Sequence, residues 1–475
     1  MTLLDPIAVT TRHLRSLYPC QLGSSLPNHQ QAGPVIGLDL LAGRTVFRYD
    51  PWHLYRAGII TSPNMVVLGQ LGKGKSSLVK THLHRQLLHG RAAYILDPKG
   101  EYAALAALHG LPRLRLTPGG PERLNPLDPH PTDTPQQTLQ RRSTTVAALA
   151  ETGLARALTP EERAGLTAAL TDLAPDAVLL HVVDALLTPT DTMSTPLRTT
   201  PAQLAAAVRP VALELRRLLT GDLAGLVDAP TTAHLDPAGR GLVLDLSAVY
   251  GTPALPAVMV CAGAWLSTAL TPDNPAHPTA HGTANGAAAE VGGVTSGTLR
   301  QRLLLVDEAW ALLHLPATTA WLQGLSKLAR SHGLQLITVV HRASDLAGQA
   351  DSGSAAQAQA RGLLSDAETR VLYAQTAGER ALLADLLDLT GPEQELLTRL
   401  PPYRALWRIG QHRAVVDHVL SGREQQQLID TDRRMRSTHT GARDNASTAV
   451  EVDGHRAPLV TVPVAPSSRS LVVRS

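Results

Sequence analysis

The chain has 475 residues, which is too long for one small domain and suits a large α/β domain carrying an insertion. Apolar residues make up 44% and aromatic residues only 3%, so Leu, Val and Ala must fill the core. A formal net charge of +3 neither demands nor excludes nucleic acid, and the distant pair Cys20 and Cys261 excludes a cysteine metal cluster and fits a reducing cytosol.

Residues 1–33 are weakly patterned and read as a short arm, with no secretory signal. A single P-loop domain is expected over 34–430. It opens with a strand pair, Val35–Leu40 and Thr45–Arg48, around the turn Ala42-Gly43. A short helical stretch from Asp50-Pro51 leads to an apolar strand, Asn64–Leu68.

The next residues, Gly69-Gln-Leu-Gly-Lys-Gly-Lys-Ser76, fit the phosphate-loop pattern G-x-x-x-x-G-K-[ST]. A loop that wraps a polyphosphate needs its backbone N–H groups close to the ligand. Gly69, Gly72 and Gly74 remove the obstructing side chains and permit positive φ. Gln70, Leu71, Lys73 and Ser77 complete the loop. The helix after Gly74 points its positive dipole end at the phosphates. Lys75 is expected on the β- and γ-phosphates of ATP, and the Ser76 hydroxyl on Mg²⁺. Lysine use supports this. Lys73, Lys75, Lys80, Lys99 and Lys327 are all the lysines present, and three of them stand in this loop and its helix.

Ala92–Leu96 reads as a buried strand ending in Asp97-Pro-Lys-Gly-Glu-Tyr102. Two readings of its acidic and basic residues stand. Strand ends are where open α/β sheets place ligands. Equally, Asp97 can cap the turn and Glu101 can favour a helix start. A short strand, Leu111–Leu116, and the turn Asn125–Pro129 follow. Residues 130–230 read as a helical insertion, Ala/Leu/Arg-rich with breaks near Pro160, Pro175 and Pro201. Its clusters Gln140–Arg142 and Arg216–Arg217 read as solvated faces. The strand Gly241–Leu246 returns to the sheet. The apolar stretch Leu255–Leu270 is too short to span a bilayer comfortably and reads as a buried helix. Residues 271–298, rich in Pro, Ala, Gly, His and Thr, read as a flexible loop whose His277 and His281 lack metal spacing.

Leu303–Val306 is an apolar strand ending in Asp307-Glu308. A P-loop ATPase needs one acid for the Mg²⁺ shell and a second carboxylate to orient or deprotonate the attacking water. Asp307 is assigned the first role and Glu308 the second. A helix over Thr318–His332 and a strand over Leu334–Val340 follow. His341, at that strand's tip, either touches the γ-phosphate or lytic water or caps the next helix. Arg330 is either a subunit-bridging arginine finger or an exposed arginine favoured by the helix dipole. Late strands are expected at Thr369–Tyr373, Tyr403–Arg408 and Ala414–Val419. Residues 431–475 read as a disordered, mildly basic tail.

Gly69–Ser76, Asp97–Tyr102, Val306-Asp-Glu-Ala-Trp310 and Ala329-Arg-Ser-His-Gly333 together resemble the FtsK–HerA superclass of pumping ATPases. Within it they look most like the TraC/TraG-like ATPases of conjugation and type IV secretion. The resemblance spans about Gly37 to Asp432. It implies a RecA-like core sheet flanked by helices, and a homo-hexameric ring with ATP between subunits. Lys75, Ser76, Asp307 and Glu308 match the family's phosphate, Mg²⁺ and base positions. Arg330 matches its proposed trans-acting finger. The family usually has glutamine where this chain has His341. Secretion ATPases also carry a sizeable N-terminal domain, whereas about sixty residues precede this P-loop, under half a typical domain.

The implied function is an Mg²⁺-dependent ATP-hydrolysing motor for DNA or protein translocation. It would be cytoplasmic, reaching the inner face of the membrane only through secretion-channel partners. A cytosolic HerA-like DNA translocase is one alternative. An ATP-binding scaffold with weak turnover is another.

Overall fold

Short apolar runs become the strands of one mixed sheet. The computed structural model describes residues 32–130, 133–232, 236, 239–270, 301–313, 316–331, 333–344 and 361–429. Almost all of the expected arm, the whole 271–298 loop with His277 and His281, and the 431–475 tail lie outside these residues.

The strands are β1 (Val35–Asp39), β2 (Thr45–Arg48), β3 (Met65–Leu68), β4 (Ala92–Asp97), β5 (Arg113–Arg115), β6 (Gly241–Asp245), β7 (Arg302–Val306), β8 (Leu334–Val340), β9 (Thr369–Leu372), β10 (Arg404–Ile409) and β11 (His412–His418). Their order is β2-β1-β11-β10-β9-β3-β8-β7-β4-β6-β5. From β9 to β5 the neighbours run parallel. β10, β11, β1 and β2 extend the sheet antiparallel beyond β9. β3, β4 and β8 are buried along their whole length, as expected of parallel strands covered on both faces. The register sets up the site. Leu68 of β3 lies opposite Val340 of β8, and Val306 of β7 lies opposite Thr338 of β8. β8 thus separates the phosphate-loop strand from the Asp307-Glu308 strand.

Alternate residues of each strand feed two cores. Met65, Val67, Ala93, Ile95, Leu303 and Leu305 pack with α1 (Pro51–Arg56), α2 (Lys75–Leu88) and α3 (Ala103–His109). Val66, Leu68, Tyr94, Leu96, Leu304 and Val306 join the other core, together with the helices between β5 and β6. Those helices are α4 (Pro135–Leu154), α5 (Pro160–Thr171), α6 (Leu179–Leu187), α7 (Asp191–Ser194) and α8 (Pro201–Thr220). The expected breaks near Pro160 and Pro201 are helix starts. Thr134, Thr159 and Thr200 each form a capping box with Gln137, Glu162 and Gln203, and a proline stands at the first helical position each time. The stretch after β6 is α9 (Leu255–Ala269), a helix buried in this core. Among the described residues, no helix is long and apolar enough to cross a membrane.

One expectation fails here. Arg142 does not face solvent but is 4% exposed. Its guanidinium donates to the carbonyls of Leu127 at 2.9 Å, Ala174 at 3.2 Å and Pro175 at 2.7 Å. The three carbonyls belong to the two turns bracketing the insertion's first helices. Ala174 also accepts from the Ala177 N–H at 3.1 Å, and the planar fork reaches all three. Arg142→Met is therefore expected to cost about 1–2 kcal/mol, by leaving the buried Leu127 carbonyl without its donor. Thermal unfolding checks this, and an unchanged Tm would contradict it. Arg217 does behave as expected, exposed and paired with Glu214 and Asp222.

Candidate nucleotide-binding active site

The parallel strands end on one edge of the sheet, and the candidate residues gather there. β3 passes directly into the loop Gly69–Gly74, and α2 begins at Lys75. Gly69, Gly72 and Gly74 take φ values of 151°, 73° and 105°, so the backbone curls as a phosphate nest requires. A Cβ on Gly69 would stand 2.4 Å from the Tyr373 Cβ, so the loop lies hard against β9's end. Lys75 is buried, and its Nζ donates to the carbonyls of Gly69 and of Gln70. Ser76 and Ser77 form the first turn of α2, with Ser76 half-buried. Leu71 is 70% exposed at the loop's crest.

Asp307 and Glu308 follow β7. Asp307 is buried, and its Oδ2 accepts from the Tyr102 hydroxyl at 2.8 Å, its Oδ1 from the Glu308 N–H at 2.9 Å. Burial raises its pKa, and the Glu308 charge raises it further. Glu308 has φ 54°, a conformation rare for a non-glycine residue and a mark of constrained functional positions. Its Oε1 accepts from His341 Nε2 at 2.5 Å and pairs with Lys99 Nζ at 2.7 Å. Its Oε2 accepts from Trp310 Nε1 at 2.5 Å. Burial opposes ionisation, but the hydrogen bonds from His341, Lys99 and Trp310 outweigh it and hold Glu308 down to about 2.

His341 stands at the tip of β8, where its register requires, and its Nδ1 is buried with no hydrogen-bond partner among the described residues. Gln70, Leu71, Lys99, Tyr250, Glu308, Trp310, His341 and Gln375 line a single cleft of about 720 Å³. The Arg330 backbone belongs to α10 (Pro316–Ser331), but its side chain lies outside the described residues. Asp97 resolves to the capping role. Its Oδ1 and Oδ2 accept from the N–H groups of Glu101 at 3.0 Å and Tyr102 at 2.9 Å. Burial nonetheless pushes it up to about 6. Glu101 pairs with Lys80 at 2.9 Å.

Sequence reasoning gave Lys99 no role of its own and missed Tyr102, Trp310 and Gln375. A signal existed for the first three. Lys99 and Tyr102 belong to the Asp97–Tyr102 motif, and Lys99 is one of only five lysines in an arginine-rich chain. Trp310 closes the Asp-Glu-Ala-Trp motif. Gln375 carries no signal in the sequence, yet both its amide atoms are buried beside the cleft without a partner among the described residues.

Lys99 gives a direct electrostatic test. Its ammonium is one of the donors that depress the Glu308 pKa, so Lys99→Met must raise that pKa. The acid limb of the pH dependence of turnover is then expected to move toward neutrality. An unmoved limb would show that Lys99 does not govern Glu308.

The residues fit a magnesium nucleotide. The glycine loop presents a nest for anionic oxygens, and Ser76 with Asp307 offers hydroxyl and carboxylate oxygen, the hard donors Mg²⁺ takes.

No family model matches the sequence, and no curated protein matches it. Solved structures do. VirB4 of Thermoanaerobacter pseudethanolicus superposes with a TM-score of 0.64 at 21% identity, over 85% of this chain and 100% of that one. The unbound conjugative coupling protein TrwB gives 0.53 at 15% identity, over 75% and 85%. TrwB in complex with ADP and Mg²⁺ gives 0.51 at 16% identity, over the same shares. With its phosphate loop, its intervening strand and its helices on both faces, the chain has the P-loop NTPase fold of VirB4 and TrwB, the fold to which its motifs pointed.

Proposed function

We propose that the chain is an Mg²⁺-dependent ATP-hydrolysing motor of the conjugative transfer or type IV secretion type, powering translocation of DNA or protein. The observation that carries this is the environment of Glu308. A carboxylate offers roughly four acceptor sites. His341, Lys99 and Trp310 take three, which leaves one on Oε2 for a water molecule. Glu308 is ionised and fixed, so it orients that water for attack without reorganising. A passive scaffold has no use for a strained, triply anchored carboxylate beside a phosphate loop.

The loop N–H groups and Lys75 hold the phosphates, and His341 fixes one edge of Glu308. Mg²⁺, held by Ser76 and Asp307, would supply charge neutralisation at the phosphate oxygens. TrwB is described with ADP and Mg²⁺ and with analogues of ATP and GTP, which supports the same ligand class here. A homo-hexameric ring, with Arg330 reaching the neighbouring site, completes the reading. Docking to a membrane channel would be through partner proteins.

The test is steady-state ATP hydrolysis with and without double-stranded DNA. Turnover that rises several-fold with DNA supports a DNA motor. Turnover indifferent to DNA moves the assignment to a protein-secretion energiser. Bound ATP without any turnover would sink the motor reading in favour of a scaffold.

A further inference from the structure

We infer that Tyr403 is the stacking platform for the nucleobase, at the end of the site away from Glu308. This rests on the nucleotide-site reading above.

A triphosphate in the Gly69–Ser77 loop has two ends. The cluster of Lys99, Glu308 and His341, on β4, β7 and β8, fixes the side of the reacting phosphate. Those strands lie to one side of β3, and β9 and β10 lie to the other. β10 runs antiparallel to β9, with Leu406 opposite Leu372 and Ile409 opposite Thr369. The start of β10 is therefore on the same edge of the sheet as the phosphate loop. Tyr403 is the residue just before that start. Its N–H donates to the Lys73 carbonyl at 2.9 Å, and its own carbonyl accepts from the His418 N–H at 2.8 Å. A Cβ on Gly74 would stand 3.1 Å from the Tyr403 Cα and ring Cδ1. The ring thus lies against the loop at the first turn of α2.

The backbone at Tyr403 is unusual. The Arg404 N–H donates to the Pro401 carbonyl at 3.3 Å, with Pro402 second and Tyr403 third in the turn. Tyr403 has φ 64°. This is the pattern of a type II turn, whose third position ordinarily carries glycine. A tyrosine there bears strain that glycine would avoid, and such strain gathers at ligand sites. The side chain packs one side against the loop and keeps the rest open. Tyr49, Tyr94, Tyr102 and Tyr373 are at most 1% exposed, whereas Tyr403 is 38% exposed. Tyr55 and Tyr250 are exposed as well, but Tyr250 lies 5.6 Å from the Lys99 ammonium at the Glu308 end, and Tyr403 is the one packed against Gly74. A rigid, exposed aromatic face beside a phosphate loop is suited to stacking a base. Stacking reads the base's area, not its hydrogen-bond pattern, so ATP and GTP should bind alike.

The experiment is calorimetric titration of the full chain with ATP, GTP and inorganic tripolyphosphate, for the wild type, Tyr403→Asn and Tyr403→Phe. Asparagine tolerates the left-handed backbone, so the turn survives while the ring is lost. Tyr403→Asn is expected to lose about tenfold in affinity for ATP and GTP and nothing for tripolyphosphate. Tyr403→Phe is expected to bind all three as the wild type does. Unchanged ATP affinity in Tyr403→Asn would overturn the inference. So would an equal loss for tripolyphosphate, which would make Tyr403 a support of the loop. A wild type that binds neither nucleotide nor tripolyphosphate would overturn the nucleotide-site reading itself, and this inference with it.

Discussion

Glu308→Gln is expected to lower ATP turnover by about 10²–10⁴-fold while leaving ATP binding intact. The geometry separates the two quantities. Glu308 sits at the end of β7 and touches His341, Lys99 and Trp310, whereas the phosphate loop is built from β3 and α2. Glutamine keeps the shape and one acceptor oxygen but loses the charge. The Lys99 ammonium then faces a neutral amide, and the remaining site for water becomes a weak acceptor or a donor. Phosphate release measures turnover, and calorimetry with ATP measures binding. A mutant that still turns over at the wild-type rate would remove Glu308 from the chemistry. A mutant that loses binding equally would make Glu308 a structural pillar of the cleft.

Lys75→Ala is expected to act on the other quantity, weakening ATP binding by about two orders of magnitude or more. Lys75 is the buried cation of the loop, and its ammonium reaches the carbonyls of Gly69 and Gln70 at the loop's mouth. Removing it leaves the nest N–H groups as the remaining positive pole for the phosphates. The fold should tolerate the change, because Lys75 opens α2 and alanine is the best helix former. Binding is read by calorimetry with ATP and the fold by thermal unfolding. Unchanged affinity in a folded variant would contradict the role given to Lys75.

Much of this was legible in the residues because parallel strands buried on both faces are short apolar runs, and their polar tips mark the site edge. Gly69–Ser76, Asp307-Glu308 and His341 could be placed because each follows such a run directly. The roles of Asp97 and Lys99 could not be separated. Both lie in one turn, and only three dimensions show Asp97 bonding back to its own loop while Lys99 crosses to the next strand. Arg142 was misjudged for a related reason. A guanidinium in a polar helical stretch looks solvated until the carbonyls of two distant turns converge on it. Gln375 and Tyr403 gave no sign, because they reach the site through the late strands β9 and β10, far along the chain from the loop they adjoin. The sheet order could not be read either, since strand neighbours are set by crossovers that leave no local mark.

The central claim is that this cleft hydrolyses magnesium ATP. Phosphate release from ATP by the wild-type chain, measured with Mg²⁺ and again with a chelator, tests it most directly. Sustained release is expected with Mg²⁺, stopping when the metal is withdrawn. Release that continues unchanged in the chelator would contradict the roles of Ser76 and Asp307. No release under either condition, by a chain that binds ATP, would contradict the account as a whole.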